Sequence, residues 1–309
     1  MPKRKFPVLS EWTKLVKRSL ASAHRMKHLE GMVPSLQSTR PAGDGDWIAG
    51  LAMSTMGARR YRLYRPPGVT FQEKLPLLVM LHGCGQDANA FARSTRMNRI
   101  AQKHRFLVLY PEQDRISNLQ GCWNWYQTDN GRASGEVSLI MTAIDQVCLL
   151  YGADRDRIAV AGLSSGASMA ALLAVRKPER FKAVIMHSGI PPGTATSTVA
   201  AVQAMRGRRT TASLPAVSED QAASRPPLLV IHGGRDRVVE ASKGMAAVRV
   251  WADAAQARSG SSRTLQRGKR YPMRVTDFTC GRTLVATLIE VGDLAHAWSG
   301  GAKGGSFSD

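Results

Sequence analysis

The 309-residue sequence predicts an α/β fold with a mostly parallel central sheet and helices on both of its faces. Short apolar runs alternate with helical patterns from residue 75 onward, as expected for parallel strands joined by helices. The run at 77–81 is apolar without a break, which is typical of a strand covered on both faces. No composition break falls inside residues 45–300, so one domain over residues 46–309 is the simplest prediction.

The predicted elements follow in order from residue 47. Residues 47–54 and 59–64 are predicted to form an antiparallel hairpin that turns at Met56 and Gly57. The helix at 135–152 has the clearest pattern, because apolar residues recur there at steps of three and four. The other predicted elements are strands at 77–81, 106–110, 157–160, 183–186 and 228–231, helices at 88–104, 167–173 and 243–257, an insertion at 191–224, and a final strand pair at 270–276 and 282–291.

Residues 1–45 are predicted to be a basic N-terminal arm and linker. Ser10 is a candidate N-cap for a helix with Trp12 and Leu15 on its apolar face and basic residues on the other. Such a helix either lies on an anionic surface through residues 3–27 or packs on the main domain, and we favour packing or partial disorder. The segment is a poor secretory signal, since no small-residue cleavage site follows its short apolar patch. That pattern favours a cytoplasmic location.

The formal net charge of +20 comes from 43 Lys and Arg against 23 Asp and Glu. Basic residues cluster at 3–27, 206–209 and 258–274, and the last two clusters are nearly free of aromatic residues. A nucleic-acid interface would interleave aromatic side chains, so we expect no nucleic-acid partner. We expect a solvated charged surface, with attraction to an anionic surface as the weaker alternative. No apolar run reaches the roughly 18 residues of a membrane span.

Ser164 is the strongest candidate nucleophile. It lies in the sequence Gly-Leu-Ser-Ser-Gly at 162–166, between a predicted strand and a predicted helix. The G-x-S-x-G pattern is weak alone, but a strand before it and a helix after it indicate a nucleophile elbow. Both glycines are needed because the turn is tight, and the serine hydroxyl is presented above the sheet.

A serine hydroxyl needs a base, and the base needs a carboxylate that fixes its tautomer. Where the nucleophile lies on an elbow of this kind, the three residues follow one another along the chain in the order serine, acid, histidine. His296 follows the last predicted strand and fits that order, whereas His187 and His232 precede the acid. Asp236 follows the strand at 228–231 and is the predicted acid. An ordinary turn aspartate is the alternative interpretation, and Asp293 is the rival acid.

Two backbone N–H groups are the predicted oxyanion-hole donors, those of Ser165 and Cys84. A plain glycine turn at 82–86 explains the second position equally well. We expect Gln86 or Asn124 to support that loop. Trp123, Trp125 and Trp298 either line a substrate cleft or are simply packed. Metal-ligand spacing is absent, so no metal or other cofactor is predicted.

With these residues in hand, the sequence resembles the poly(3-hydroxybutyrate) depolymerase-type esterase family, which includes feruloyl and acetylxylan esterases. Five segments in the family's order carry the resemblance over about residues 45–309: 82–86, 110–113, 122–125, 162–166 and 296–301. The resemblance implies an α/β-hydrolase fold and ester hydrolysis through an acyl-enzyme. It also implies Ser164 as nucleophile, Asp236 as acid, His296 as base and Cys84 at the oxyanion hole.

The resemblance further suggests a disulfide between Cys84 and Cys122, which would add roughly 4 kcal/mol by chain entropy. A disulfide favours an extracellular location, against the signal pattern. The sequence departs from the family at Ser165, Ala167 and Ala295, where the family usually has Ala, Gly and Gly. We also expect the domain to lack the family's closing C-terminal helix.

The predicted function is that of a serine esterase acting on hydroxyalkanoate polymer or oligomers. A carbohydrate esterase that releases feruloyl or acetyl groups is the second hypothesis. The third, from a different class, is an inactive homologue that binds a surface or polymer, suggested by the high positive charge.

Overall fold

The computed structural model describes residues 40–70, 72–208, 225–305 and 307–309, and within these ranges eleven strands form one sheet. Residues from Arg40 onward belong to one compact unit. The predicted N-terminal helix and the basic segment 3–27 lie outside the described residues, so the domain boundary at residue 45 remains a prediction. The strands are β1 (Asp46–Ser54), β2 (Gly57–Arg65), β3 (Leu75–Leu81), β4 (Leu107–Pro111), β5 (Ala153–Leu163), β6 (Ala183–His187), β7 (Leu228–Gly233), β8 (Arg258–Ser259), β9 (Arg263–Leu265), β10 (Met273–Cys280) and β11 (Thr283–Val291).

Helices connect the strands of this sheet. They are α1 (Ala88–Thr95), α2 (Met97–His104), α3 (Arg132–Leu150), α4 (Ser165–Arg176), α5 (Thr198–Met205) and α6 (Ser242–Ala254), with a short 3₁₀ turn at Pro178–Arg180. The strand order is β1-β2-β4-β3-β5-β6-β7-β11-β10-β8, and β9 also pairs with β10. The six strands from β4 to β11 in this order pair in parallel, whereas β1, β2 and β10 pair antiparallel. The predicted mostly parallel sheet is confirmed.

Alternate residues of β3 enter two different hydrophobic clusters, which explains the unbroken apolar run. Leu77 and Val79 belong to the larger cluster, whereas Met80 belongs to the smaller one. Leu109 and Tyr110 of β4 divide in the same way. Since side chains of a strand alternate between faces, apolar layers cover both faces of the sheet. This burial fixes the carboxyl ends of the parallel strands, where the loops of the site begin.

One predicted helix is divided in the structure. The pattern at 88–104 gives α1 and α2, which meet at Arg96, a residue in the left-handed region with φ of 54°. Asp87 begins α1 as an N-cap, with its side chain accepting from the Ala90 N–H at 2.7 Å. Neither glycine nor proline marks the break, so the prediction of one continuous helix was wrong.

Helix α3 has the length and mean hydropathy of a membrane span. The sequence analysis had found no apolar run of the roughly 18 residues that a membrane span needs. It is the one helix of that kind in the described part of the chain. Most of its residues are buried, including Ile140, Ile144 and Val147 in the larger hydrophobic cluster. Its apolar character is therefore that of a core helix packed on the sheet.

Three short elements were missing from the sequence prediction. Helix α5 lies inside the predicted insertion at 191–224, of which residues 209–224 lie outside the described part. Strands β8 and β9 are two and three residues long and wholly exposed. They form only because β10 offers them an edge to pair with. The predicted final strand pair is present, and its two strands, β10 and β11, form an antiparallel hairpin.

Candidate active site

Ser164 occupies a strained turn between β5 and α4. Its φ of 56° and ψ of −120° lie in a region that non-glycine residues rarely adopt. The backbone is held there because the Ser164 N–H donates to the carbonyl of His187, at the end of β6, at 2.9 Å. Strain of this kind persists where the surrounding structure fixes it, and it is common at functional sites. The geometry is that of a nucleophile elbow.

The two glycines of the elbow are required by space. A Cβ on Gly162 would lie 2.3 Å from the carbonyl of Gly166, where α4 passes over β5. A Cβ on Gly166 would lie 2.1 Å from the carbonyl oxygen of Leu81. Neither is a possible contact for a real side chain. Helix α4 therefore approaches the ends of β3 and β5 more closely than a side chain at Gly162 or Gly166 would allow.

Asp236 and His296 form a buried pair. The Nδ1 of His296 donates to Oδ2 of Asp236 at 2.8 Å, since a carboxylate oxygen can only accept. The other oxygen, Oδ1, accepts from the backbone N–H groups of Val238 and Val239, each at 2.9 Å. With Nδ1 carrying its proton, the Nε2 of a neutral His296 is left as an acceptor.

The environment keeps Asp236 ionised. Burial alone would raise the pKa of Asp236, but the hydrogen bond and charge of His296, together with the Val239 N–H, outweigh burial and lower that pKa. His232 also contributes, with its Nε2 lying 3.5 Å from Oδ2 of Asp236. The carboxylate side chain has no exposed surface, so its charge is shielded from water.

The rival acid lies elsewhere. Asp293 forms an exposed ion pair with Arg235 at 2.9 Å, on the protein surface. Its carboxylate is engaged there, whereas Asp236 is the one that contacts His296.

His232, which chain order excluded as the base, makes a hydrogen bond from Nε2 to the carbonyl of Val239 at 3.0 Å.

His187 was also set aside by chain order, yet it holds the loop that carries His296. Its Nε2 accepts from the backbone N–H of Ser299 at 3.0 Å, and its ring stacks on Trp298 with centroids 5.2 Å apart. Burial, with the nearby His232, lowers the pKa of His187 to about 3, so the ring is neutral. The same residue thus contacts both the elbow and the histidine loop. The signal in the sequence was its position at the end of a parallel strand.

The loop after β3 lies against the elbow. A Cβ on Gly83 would lie 3.7 Å from the Cβ of Ser164, and the Gly83 N–H donates to Oε1 of Gln86 at 3.0 Å. Gln86 therefore supports this loop, as predicted for Gln86 or Asn124. In the described part of the chain, the N–H groups of Cys84 and Ser165 have no backbone partner outside a helix or strand. The first N–H groups of a helix lack intrahelical partners, so that of Ser165 is available to a ligand.

A disulfide joins Cys84 to Cys122, 38 residues apart in the chain. The Gly85 N–H donates to the carbonyl of Gln120 at 2.8 Å, which ties the same two loops together. The departure at Ser165 has a role here, because its hydroxyl lies 3.3 Å from the Cys84 sulfur. It also accepts from the Trp123 N–H at 3.4 Å. Alanine at this position would make neither contact.

A buried polar network lies under these loops and was missed in the sequence. Glu136 of α3 accepts from the side chains of Gln113 and Asn124 and from the Asn124 N–H at 2.9 Å. Gln113 in turn donates its backbone N–H to Nε2 of His82 at 3.0 Å and its side chain to the Cys122 carbonyl at 3.0 Å. Asn124 therefore supports the loop at 117–124. Burial lowers the pKa of His82 to about 4.

One of the three predicted substrate-binding tryptophans, Trp298, is a packing residue. Trp123 is fully buried behind the loop, yet it contributes to the cavity wall, and its indole N–H donates to the His82 carbonyl at 3.0 Å. Trp298 lies outside the cavity wall, where it stacks on His187 and meets Phe91 edge to face. The prediction for Trp298 is corrected because its large ring fills the core behind the loops. Trp125 lines the cavity beside Tyr126.

A cavity of about 580 Å³ opens above the elbow. Ser164, Cys84, Ser165 and His296 all line it, so the structure brings the predicted nucleophile, base and donors to one space. The remaining walls are mostly apolar or uncharged. They comprise the loop at 117–127 with Arg132, Gly83, Leu163, Ser168 and Ile190, one face of α5 (Thr198, Ala201, Val202, Met205), Val238, Val239 and Phe307. Among the described residues, no group of three His, Cys, Asp or Glu side chains is arranged to hold a metal ion.

The elbow, the sheet order and the position of Asp236 and His296 define the chain as an α/β-hydrolase. A solved structure of this fold, "Acetyl xylan esterase from Aspergillus awamori", superposes with a TM-score of 0.62 at 18% identity, over 82% of this chain and 94% of that one. The profile of the family described as "Esterase PHB depolymerase" matches residues 59–258. The chain belongs to this family.

Curated relatives carry several activities in their names. Poly(3-hydroxyalkanoate) depolymerase C of Paucimonas lemoignei is 35% identical over 131 residues, 42% of this chain and 31% of that protein. Feruloyl esterase B of Neurospora crassa is 26% identical over 191 residues, 58% of this chain and 65% of that protein. A probable acetylxylan esterase A of Aspergillus flavus is 31% identical over 176 residues, 52% and 55% respectively. The chain thus spans between 31% and 65% of the length of these relatives.

Proposed function

We propose that this protein is a serine esterase that hydrolyses carboxylic esters through an acyl-enzyme. The proposal depends on the buried Asp236–His296 pair at 2.8 Å, whose His296 lines the same cavity as the strained Ser164. Family membership and the esterases among the relatives support the same chemistry. No cofactor is needed for this reaction, because the residues themselves supply nucleophile and base.

In this mechanism Ser164 Oγ attacks the ester carbonyl while Nε2 of His296 takes its proton. Asp236 accepts from Nδ1 of His296, which fixes the tautomer and stabilises the imidazolium that forms. His296 then gives the proton to the departing alkoxide, and the acyl group remains on Ser164. A water molecule, activated by the same imidazole, releases the acid and restores the serine.

The negative charge of the tetrahedral intermediate falls on the carbonyl oxygen. The N–H groups of Ser165 and Cys84 are the proposed donors, since both residues line the cavity together with Ser164. A donor of this kind contributes a factor of about 10² to 10³ in rate. The disulfide and the Gln86 contact keep the Cys84 loop in place before substrate binds.

We propose hydroxyalkanoate polymer or oligomers as the substrate. Apolar side chains at the cavity mouth are well exposed, with Leu119 at 87%, Val238 at 44% and Phe307 at 43%. Such a mouth suits an aliphatic polyester chain better than a sugar, which needs many polar partners. The name of the Paucimonas lemoignei relative points the same way. Feruloyl or acetylxylan hydrolysis is the alternative, favoured by the names of the other relatives.

The disulfide supports action in an oxidising, extracellular compartment. Contact with an anionic surface through residues 3–27 remains a prediction, because those residues lie outside the described part of the chain.

Hydrolysis of p-nitrophenyl butyrate tests the proposed activity. The parent protein should release p-nitrophenol, and Ser164→Ala should abolish turnover. Ser117→Ala is the matched control, since Ser117 lines the same cavity in another loop. A folded parent with no turnover would favour the inactive binding protein instead. A panel of hydroxybutyrate oligomers, feruloylated sugars and acetylated xylan then ranks the substrates.

A further inference from the structure

Arg132 brings a permanent positive charge to the wall of the candidate active-site cavity. It is the first residue of α3 and follows Gly131, whose φ is 78°. Of the described residues that line the cavity, it is the only Arg, Lys, Asp or Glu. The walls around it are otherwise apolar or uncharged, apart from the titratable His296. A single fixed charge in such a cavity selects for a ligand with a complementary charge.

The Arg132 guanidinium has hydrogen-bonding capacity to spare. Its Nη1 donates to Oε1 of Gln127 at 3.4 Å, which is long for an N–H···O bond. The ion pairs among the described residues do not include it, whereas Arg105 binds both carboxylate oxygens of Glu73. A guanidinium carries five N–H donors in a planar fork that matches a carboxylate. The exposed side chain of Arg132 therefore reaches solvent at the cavity wall with most donors available.

We propose that Arg132 binds the free carboxylate of the substrate, so that the preferred esters are short oligoesters of hydroxy acids that end in a carboxylate. This inference rests on the proposed esterase function and narrows its substrate. Such an oligomer matches both features of the cavity, because its aliphatic chain contacts the apolar walls and its anionic end meets Arg132. Neutral acetyl or feruloyl sugar esters offer no partner for this charge.

The backbone N–H groups of Arg132 and Gly135 at this helix start already have partners. The Arg132 N–H donates to Oδ1 of Asn130 at 3.1 Å, and the Gly135 N–H donates to the Gly131 carbonyl at 2.9 Å. A carboxylate at the cavity wall would therefore depend on the guanidinium.

The test compares a hydroxybutyrate trimer with a free carboxylate and the same trimer as its methyl ester. The measured quantity is the ratio of kcat/KM for the acid to kcat/KM for the methyl ester. Arg132→Gln should lower this ratio about five- to tenfold relative to the parent, mainly through KM for the acid. Arg132→Lys should retain part of the preference, because it keeps the charge and loses the fork. Added salt should lower the ratio in the parent but not in Arg132→Gln.

Arg282→Gln is the matched control, since Arg282 is an exposed arginine in the β10–β11 turn outside the cavity wall. It should leave the ratio at the parental value. An equal ratio in the parent and in Arg132→Gln, with both trimers hydrolysed, would overturn the carboxylate site and leave the esterase function intact. If the parent hydrolyses neither trimer nor p-nitrophenyl butyrate, the esterase proposal itself fails, and the carboxylate site fails with it.

Discussion

Replacing Asp236 by asparagine should remove nearly all turnover while leaving the fold intact. The carboxylate makes three hydrogen bonds whose directions fix how an asparagine would sit. Oδ1 accepts from two backbone N–H groups at 2.9 Å, and Oδ2 accepts from Nδ1 of His296 at 2.8 Å. The amide oxygen of asparagine can keep only the first pair, so its NH₂ group faces His296.

That orientation reverses the tautomer of His296. The NH₂ group donates to Nδ1, the ring proton moves to Nε2, and Nε2 can no longer accept the proton of Ser164. The opposite amide orientation places NH₂ against two N–H donors and loses both bonds, at about 1–3 kcal/mol each. The analogous exchange in a serine-protease triad costs about 10⁴ in kcat. We therefore expect a loss of about 10³ to 10⁴, which is roughly 4 to 5.5 kcal/mol of barrier.

Steady-state hydrolysis of p-nitrophenyl butyrate measures this loss, with circular dichroism to verify folding. Asp293→Asn is the matched control, because Asp293 pairs with Arg235 on the surface and should keep near-parental kcat. Retention of kcat within tenfold in Asp236→Asn would show that Asp236 is not the catalytic acid. So would an equal loss in Asp293→Asn, which would make that residue the acid.

Three further predictions follow from the packing around the site. Gly166→Ala should lower the free energy of unfolding by about 3 kcal/mol or more, because the added Cβ has no space. The control Gly281→Ala, in an open turn at φ of 56°, should lower it by about 1 kcal/mol. Equal urea midpoints for the two variants would contradict this prediction. His187→Phe should lower kcat about ten- to a hundredfold with little change in KM, since an aromatic ring stays but the acceptor for the Ser299 N–H is lost. His187→Gln should restore much of the lost kcat. An unchanged kcat in the phenylalanine variant would show that His187 does not position the histidine loop. Burial depresses the pKa of His82 to about 4 and that of His187 to about 3, well below the value in the unfolded chain, so both rings stabilise the fold fully only above about pH 6.5. As the pH falls toward those values this stability is lost, by about 2 kcal/mol for each ring at pH 5. A urea midpoint that stays constant from pH 7 to pH 5 would contradict this prediction.

Chain order and strand ends were enough to find the candidate nucleophile, acid and base. Ser164, Asp236 and His296 each follow a strand of the parallel part of the sheet, and the carboxyl ends of such strands meet at one edge of the sheet. These positions depend on local patterns that the sequence displays directly. The pairing of β7 with β11 then brings the Asp236 and His296 loops together.

Features that depend on contacts between residues far apart in the chain could not be predicted from the sequence. The break at Arg96 carries no glycine or proline, and nothing local distinguishes it from a continuous helix. The burial of Trp123 and Trp298 depends on which rings and carbonyls the fold brings beside them. The supporting role of Glu136 likewise depends on its contacts with Gln113 and Asn124, which lie 23 and 12 residues away in the chain.

Covalent labelling tests whether Ser164 is the nucleophile. The protein is incubated with a fluorophosphonate, digested, and mapped by peptide mass spectrometry. A single adduct on Ser164 that forms far more slowly in His296→Ala is the predicted result. An adduct on another residue, or equal labelling of Ser164 without the imidazole, would show that Ser164 is not a nucleophile activated by His296.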